Sequence, residues 1–382
     1  MSQARICFVV SSPLTARAFL SGHIATLSRH YSIDLAVDAG GPDGLGDIPS
    51  HARIVQVPIR RKVAPLADLM ALLRLVVLFR RERYAVVSSV TPKAGMLAML
   101  AASLARVPLR THIFTGQVWA TRTGWKRWLL KAADRWMARL ATHVLADSPS
   151  QRGFMVAEGI AKAEKIGVPG EGSICGVDGR RFRPDAGRRV GIRQAQGIPE
   201  DAVVFLFLGR LNRDKGVLDL AAAFAGLDND AAWLLVVGPD ESDMRGQMEV
   251  CLGPAMARSR FVGYTERPED FMAAADVFCL PSYREGFGMV VIEAAAAGAP
   301  AIASRIYGVT DAVEDGVTGM LHAPGDAAAM TRMMAVLAGD PARRQALGDA
   351  ARKRAIEQFS AEAVTAAWVK FYEQLLGSEA AC

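Results

Sequence analysis

The sequence lacks the marks of several protein classes. Its five cysteines, Cys7, Cys175, Cys251, Cys279 and Cys382, form no CxxC pair, and no histidine cluster accompanies them. Neither a zinc site nor a disulfide framework is expected. Cys7 and Cys279 stand in apolar runs, where a reduced thiol acts as a small hydrophobe, and a reducing cytosol fits this usage. No uncharged apolar stretch approaches the roughly 20 residues that span a bilayer. The most apolar segment, Leu66 to Phe79, is interrupted by Asp68 and Arg74. RICFVV near the beginning reads as a short strand without a small-residue cleavage site, so no secretory leader is expected. Repeats and low-complexity tracts are also missing.

What is present is ordinary globular composition, 51% hydrophobic and 22% charged over 382 residues. That length suits two domains, each with its own core. The net charge of +6 conceals an asymmetry. Residues 1–180 carry 24 Lys+Arg against 12 Asp+Glu, which leaves 21 against 27 for residues 181–382. Residues 51–150 alone hold 17 basic and 4 acidic side chains. Such a bias suggests an anionic partner for the first half only.

Short apolar, β-branched runs alternate with longer helical patterns. Strands are predicted at Ile6–Val10, Asp34–Val37, Ile54–Val57, Ala85–Ser88, Thr111–Phe114 and His143–Ala146. In the second half they are predicted at Val203–Leu208, Trp233–Val237, Val277–Leu280 and Ala301–Ser304. Runs that are apolar on both faces belong in parallel sheets covered by helices. The alternation therefore gives an α/β class with two doubly wound domains. The boundary is expected in the Gly-, Pro- and Arg-rich stretch Pro169–Arg189, giving domains 1–180 and 181–360. A last helix of about 361–382 is able to pack on either domain.

Ligands of doubly wound sheets bind beyond the carboxyl ends of the strands. GRLNRDKG, residues 209–216, follows the strand VVFLFL directly and places Arg210 and Lys215 there. Two cations on one such loop can neutralise a diphosphate, Arg as a planar fork and Lys as a mobile point charge. A solvated basic turn is the plain alternative. In LPSYREGFGMVVIEAAAAGAP, residues 280–300, VFCL supplies the strand, REGFG the loop, and Met289–Ala297 a helix ended by Gly298 and Pro300. Gly286 and Gly288 permit close backbone approach where the helix dipole favours phosphate. Glu285 lies in the loop. Glu293 lies among Val290, Val291, Ile292 and alanines, where an ionised carboxylate needs a partner. Sugar or ribose hydroxyls would serve, and so would an ion pair with Arg284.

EGFGMVVIEA resembles the E-x7-E motif of glycosyltransferase family 4, a retaining family of GT-B fold. LGRLNRDKGVLDL resembles that family's donor loop, and VVGPD, FVGYTERPEDFMAAADVFCLPS and GAPAIASRIYGVTDAVEDGVTGML follow in the family's order. TPKAG, HIFTGQVWATRTG and HVLADSPSQ are similar to the subgroup that builds bacterial capsule, exopolysaccharide or O-antigen repeats. The resemblance implies two Rossmann-like domains facing across a cleft, an acceptor-binding first domain and a nucleotide-sugar-binding second one. It implies that Arg210 and Lys215, with Gly209, bind the donor diphosphate, and that Glu285 contacts the sugar hydroxyls. Backbone amides of Gly288, Met289 and Val290, beside Gly286 and Phe287, would face the phosphates. Glu293 would hold the ribose, and Val262 to Tyr264 would sit by the base. Glu285, Arg210 and Lys215 are the catalytic candidates. From the first domain, Ser12, His112 and Thr115 are candidate contacts, although VVSSPLTARAF departs from the family's Gly-Gly loop and a strand histidine is commonly structural. Asp311 stands where the family often has Glu.

WKRWLLKAADRWMARL, residues 125–140, is amphipathic. Trp125, Trp128, Leu129, Ala132, Ala133, Trp136, Met137 and Leu140 form one stripe, with Lys126, Arg127, Lys131, Arg135 and Arg139 off it. Trp opposite Lys/Arg suits a helix lying on an anionic membrane. A core-facing helix with a solvated basic face reads equally well. Further basic residues stand at Arg60–Lys62 and Arg80–Arg83.

The expected activity is hexosyl or N-acetylhexosaminyl transfer from a nucleotide sugar, UDP-linked in the first instance, to a polyprenyl-diphosphate-linked saccharide. No D-x-D stands in a suitable loop, so no metal or other cofactor is expected. The expected location is the inner face of the bacterial cytoplasmic membrane, as a peripheral protein. Two other readings are a GT-B sugar-nucleotide epimerase, which needs no acceptor, and an anionic-polymer binding module on the basic half. No nucleic-acid motif favours the latter.

Overall fold

The computed structural model describes residues 3–38, 51–60 and 64–379. Arg61, Lys62 and Cys382, named above, lie outside the described residues. The chain divides into two compact units. One runs to Cys175 and resumes at Ala361, and the other is Gly176–Ser360. The break lies after Cys175 rather than after residue 180 for a local reason. Val177 donates its N–H to Phe359 O at 2.7 Å and joins the core of the second unit.

The first unit holds a seven-stranded parallel sheet. Its strands are β1 (Arg5–Val9), β2 (Ser32–Val37), β3 (Arg53–Gln56), β4 (Val86–Val90), β5 (Leu109–Phe114), β6 (His143–Ala146) and β7 (Ile166–Gly167), in the order β3-β2-β1-β4-β5-β6-β7. The second unit holds β8 (Val203–Leu208), β9 (Ala232–Val237), β10 (Ser259–Val262), β11 (Val277–Leu280), β12 (Ala301–Ser304) and β13 (Gly319–His322), in the order β10-β9-β8-β11-β12-β13. Every strand expected from the sequence is present within one or two residues. The three unexpected ones, β7, β10 and β13, are all edge strands. An edge strand has one neighbour and carries a weaker two-faced apolar signal; SRFV in β10 is mostly half-buried.

The last helix, Ala361–Glu379, packs on the first unit. Trp368 and Tyr372 are buried there; the Trp368 indole donates to Ser173 O at 3.3 Å and the Tyr372 hydroxyl to Ser88 Oγ at 2.8 Å. No helix among the described residues is long and apolar enough to cross a membrane.

Helix Gly124–Leu140 corrects the core-facing reading of its stripe. Trp125, Trp128 and Trp136 are 70%, 68% and 55% exposed, and Leu129 is exposed as well. Of the stripe Met137 is buried, beside Asp134 and Ala138 from outside it, with Asp134 accepting from the Trp119 indole at 2.7 Å. Arg127 and Lys131 also turn toward the protein. Both pair with Glu158, at 2.8 and 2.5 Å, and lie over the Trp119 ring. The basic face is thus partly spent internally. Helix Pro65–Glu82 likewise exposes Leu66, Leu69, Met70, Leu73 and Val77.

Candidate functional site

The second sheet changes direction of winding between β8 and β11, which are neighbours although 68 residues separate Leu208 from Val277 by numbering. Loops after those strands diverge at such a switch and leave a crevice at their carboxyl ends. Both sequence segments singled out above leave from these two strands.

The loop after β8 is built tightly. Asn212 caps a short 3₁₀ turn, Arg213–Lys215, by accepting from the Lys215 N–H at 3.2 Å. Gly216 follows with φ 65°, and a Cβ there would stand 2.0 Å from Pro281 O on the loop after β11. The same two loops are joined by the Tyr283 N–H donating to Asp214 O at 2.8 Å. This contact carries Lys215 to Glu285: Nζ donates to Oε1 at 2.6 Å, with the side chains only 18% and 13% exposed. Ser282 Oγ donates to the same carboxylate oxygen at 2.7 Å. A cation, a carboxylate and a hydroxyl therefore converge at the switch point.

Arg210 stands further out. It is half-exposed and pairs with Glu241 at 3.1 Å. Arg284 pairs with Asp214 at 3.4 Å, so the alternative partner considered for Glu293 is engaged elsewhere. Gly288, at φ 86°, caps helix Met289–Ala296. The Phe287 side chain is buried against Phe359, with ring centroids 5.0 Å apart, so only its backbone can face a ligand. Gly286 O lies so close to Gly308 that a Cβ on the latter would meet it at 2.3 Å. That contact fixes the loop from a third side, by the segment after β12. Gly263 and Tyr264 continue from β10 at the same end of the sheet, with Tyr264 exposed.

The Glu293 carboxyl is pushed up to about 7 by burial, opposed by Arg181 and reinforced by Glu269. Arg181 pairs with Glu269 at 2.8 Å and donates to Glu266 O at 3.1 Å. These three residues went unrecognised in the sequence, where nothing links position 181 to 269. The sign of the effect follows from proton binding. Between the ordinary glutamate value and about 7 the folded state holds more proton than the unfolded state, so stability from this group falls as pH rises. Glu293→Gln removes that dependence. In urea titrations the variant should gain on wild type between pH 5 and pH 8, whereas parallel curves at both pH values would contradict the assignment.

The first-unit candidates separate. Ser12 is an N-cap: its Oγ accepts from the Thr15 N–H at 3.3 Å at the start of helix Pro13–Phe19. His112 stands in β5 with its side chain turned inward. It is 1% exposed, its Nδ1 lies 2.9 Å from Ser89 Oγ, and burial lowers it to about 3. Its neutral ring stands edge-on to Phe114. Thr115 follows β5 and is partly buried. A polar group that the sequence did not mark lies at the same end of the sheet, where buried Gln151 donates to Phe114 O at 3.1 Å and accepts from the Asp147 N–H at 2.6 Å. Asp311 sits in the short helix Val309–Ala312, with its carbonyl accepting from Arg354 at 2.8 Å.

Two doubly wound units, one with a basic-acidic pair at its switch point, make the arrangement of a GT-B glycosyltransferase. Comparison with known proteins agrees. The family model for glycosyl transferases group 1 matches residues 189–354, and that for a glycosyl transferase 4-like domain matches residues 21–169. The capsular polysaccharide biosynthesis glycosyltransferase CapM of Staphylococcus aureus is 30% identical over 317 residues, 81% of this chain and 81% of that protein. The putative glycosyltransferase EpsD of Bacillus subtilis (strain 168) is 29% identical over 84% of this chain and 85% of that protein. Among solved structures, Anabaena Alr3699/HepE in complex with UDP has a TM-score of 0.81 at 20% identity, covering 97% of this chain and 100% of that one. The chain belongs to the group 1 glycosyltransferases, glycosyltransferase family 4, and is a transferase.

Proposed function

We propose that this enzyme moves a sugar, with retention of anomeric configuration, from a UDP-linked donor to a lipid-linked saccharide during assembly of a bacterial surface polysaccharide. One observation carries the reading: Lys215 and Glu285 meet at 2.6 Å on the two loops that flank the switch point. The name of CapM, a capsular polysaccharide biosynthesis glycosyltransferase, supports the polysaccharide acceptor class, and the UDP and UDP-glucose held by Alr3699/HepE support the donor class.

In this reading Lys215 and Arg210 neutralise the donor diphosphate, and the charge that develops on it as the sugar leaves is held by fixed groups. The amino-terminal turn of helix Met289–Ala296, with Gly288 before it, adds its dipole to the same phosphates. Glu285, fixed by Ser282 and Lys215, orients the sugar hydroxyls. Glu293 holds the ribose, and the backbone from Val262 to Tyr264 faces the base. The first unit takes the acceptor. Sugar and linkage follow from side-chain shape around Glu285.

The test is a panel of radiolabelled UDP-sugars with lipid-extract acceptor, comparing wild type with Glu285→Gln. Transfer from one UDP-sugar is expected, falling on the order of a hundredfold in the variant, the size of effect of losing one preorganised polar contact to the reacting group. Undiminished transfer rejects the assignment. Conversion of a UDP-sugar without acceptor would point to the epimerase instead.

The exposed Trp125, Trp128 and Trp136 favour a peripheral position on the inner face of the cytoplasmic membrane. Flotation of the enzyme with anionic vesicles is expected, together with its loss in Trp125→Ser/Trp128→Ser. Equal failure of wild type with anionic and neutral vesicles would dismiss this location.

A further inference from the structure

A second concavity lies in the first unit at the amino-terminal ends of β6 and β7, the opposite end of that sheet from Thr115 and Gln151. It is an open depression of about 940 Å³, lined by Arg139, His143, Lys162 and Lys165, with Ala138, Val156 and Ile160 as its apolar part. Arg135 and Arg152 are bonded to the lining carbonyls of Gly159 and Ala163, and Arg110 acts electrostatically on Lys165.

These three arginines are held by carbonyls rather than carboxylates. Arg110 donates to Leu140 O and Val107 O at 2.8 and 2.7 Å. Arg135 donates to Gly159 O at 2.9 Å and Glu158 O at 3.1 Å. Arg152 donates to Ile166 O and Ala163 O at 2.8 and 2.9 Å. Those bonds fix the guanidinium groups and leave their charge uncancelled. Lys165 reaches only a carbonyl, Arg139 O, at 3.4 Å, and Arg139 and Lys162 make no ion pair among the described residues. Glu164 is the one carboxylate in the lining; nearby Glu158 is committed to Arg127 and Lys131.

Like charges so grouped repel, and partial burial adds to the cost. Lys165 is held below its ordinary value by burial and by Arg110, and His143 is lowered by burial and by Lys165. A fold that keeps cations fixed on carbonyls around a concavity is complementary to an anion with several acceptor oxygens. The apolar part suits the glycerol or hydrocarbon end of such a molecule.

We propose that this concavity binds a phosphate-bearing ligand, through Arg139, Lys162 and Lys165. The site is separate from the donor site of the second unit and does not depend on the transfer reaction. Two sources share the chemistry, the headgroup of an anionic phospholipid and a free phosphorylated molecule.

The full-length enzyme is tested with two probes. Co-sedimentation uses phosphatidylglycerol vesicles with phosphatidylcholine vesicles as reference, and calorimetry uses sodium pyrophosphate. Wild type is compared with Arg139→Gln/Lys162→Gln, both exposed positions, and with the triple variant that adds Lys165→Gln. Binding is expected to weaken at least about tenfold in the double variant and further in the triple, given the contribution of each basic group near an anionic surface. It is also expected to weaken with salt. Binding of vesicles identifies a headgroup site, and binding of pyrophosphate alone identifies a free phosphate ligand. UDP affinity should be unchanged in both variants. The proposal is overturned if wild type binds neither probe, or if the folded double and triple variants bind as wild type does.

Discussion

Lys215→Ala is expected to lower kcat for sugar transfer about a thousandfold, at the upper end of what one electrostatic group supplies in a water-poor site. Lys215 is not a mobile surface cation. Its side chain is 18% exposed, with the amine 2.6 Å from Glu285, and its backbone is held by the Asn212 cap. The diphosphate leaving group gains negative charge as the glycosidic bond breaks, so a cation already in position costs no reorganisation. Removal of the amine also leaves Glu285 with Ser282 as its remaining partner, at 2.7 Å. Two functions are lost at once, charge compensation and orientation of the carboxylate. Arg at 215 should restore little, because a wide planar fork does not replace a compact ammonium at such a contact. Steady-state kinetics with the active UDP-sugar, and the thermal midpoint as a control for folding, decide the matter. A loss below tenfold with an unchanged midpoint would remove Lys215 from the machinery.

Gly216→Ala is expected to destabilise the enzyme by about 3 kcal/mol and to weaken donor binding with it. The backbone is in the left-handed region at φ 65°, and the new Cβ would lie 2.0 Å from Pro281 O. Strain alone costs ~1–2 kcal/mol for a residue with a side chain. The clash is with backbone, so a rotamer change gives no relief and one loop must move. The loop that moves carries either Lys215 or Glu285. Urea unfolding should show the lower midpoint, and calorimetry with UDP the lower affinity. A variant of wild-type stability would mean that the two loops are not held together at this point.

Much of this was legible in the sequence because interior parallel strands are apolar on both faces. VVFLFL and VFCL could hardly be anything but buried strands, and the loops after them carry the charged residues of the candidate site. What was not legible was proximity. Lys215 and Glu285 are 70 positions apart, and only the strand order, with β8 beside β11, brings them together. The same holds for Arg181, Glu269 and Glu293. Helix Gly124–Leu140 shows a different limit. Its tryptophans and its basic residues both recur at helical spacing, so periodicity could not say which face packs inward. Packing on Trp119 and the charge of Glu158 decided it, drawing Arg127 and Lys131 in and leaving three tryptophans out. His112 was marked by its residue type, and its burial was set by packing that the residue type does not show.

The placement of helix Ala361–Glu379 has a bearing on how the chain is made. The second unit is a single uninterrupted stretch, and all of it has been synthesised by Ser360. The first unit begins earlier but lacks Trp368 and Tyr372 until helix Ala361–Glu379 has been made. A chain emerging from the ribosome therefore completes its later unit before its earlier one, against the usual order of domain folding. Until that helix has been made, the hydrophobic surface around Phe8 and Ile24, with Ser88 beside it, waits for its cover, and a nascent chain stopped short of residue 361 carries that surface uncovered.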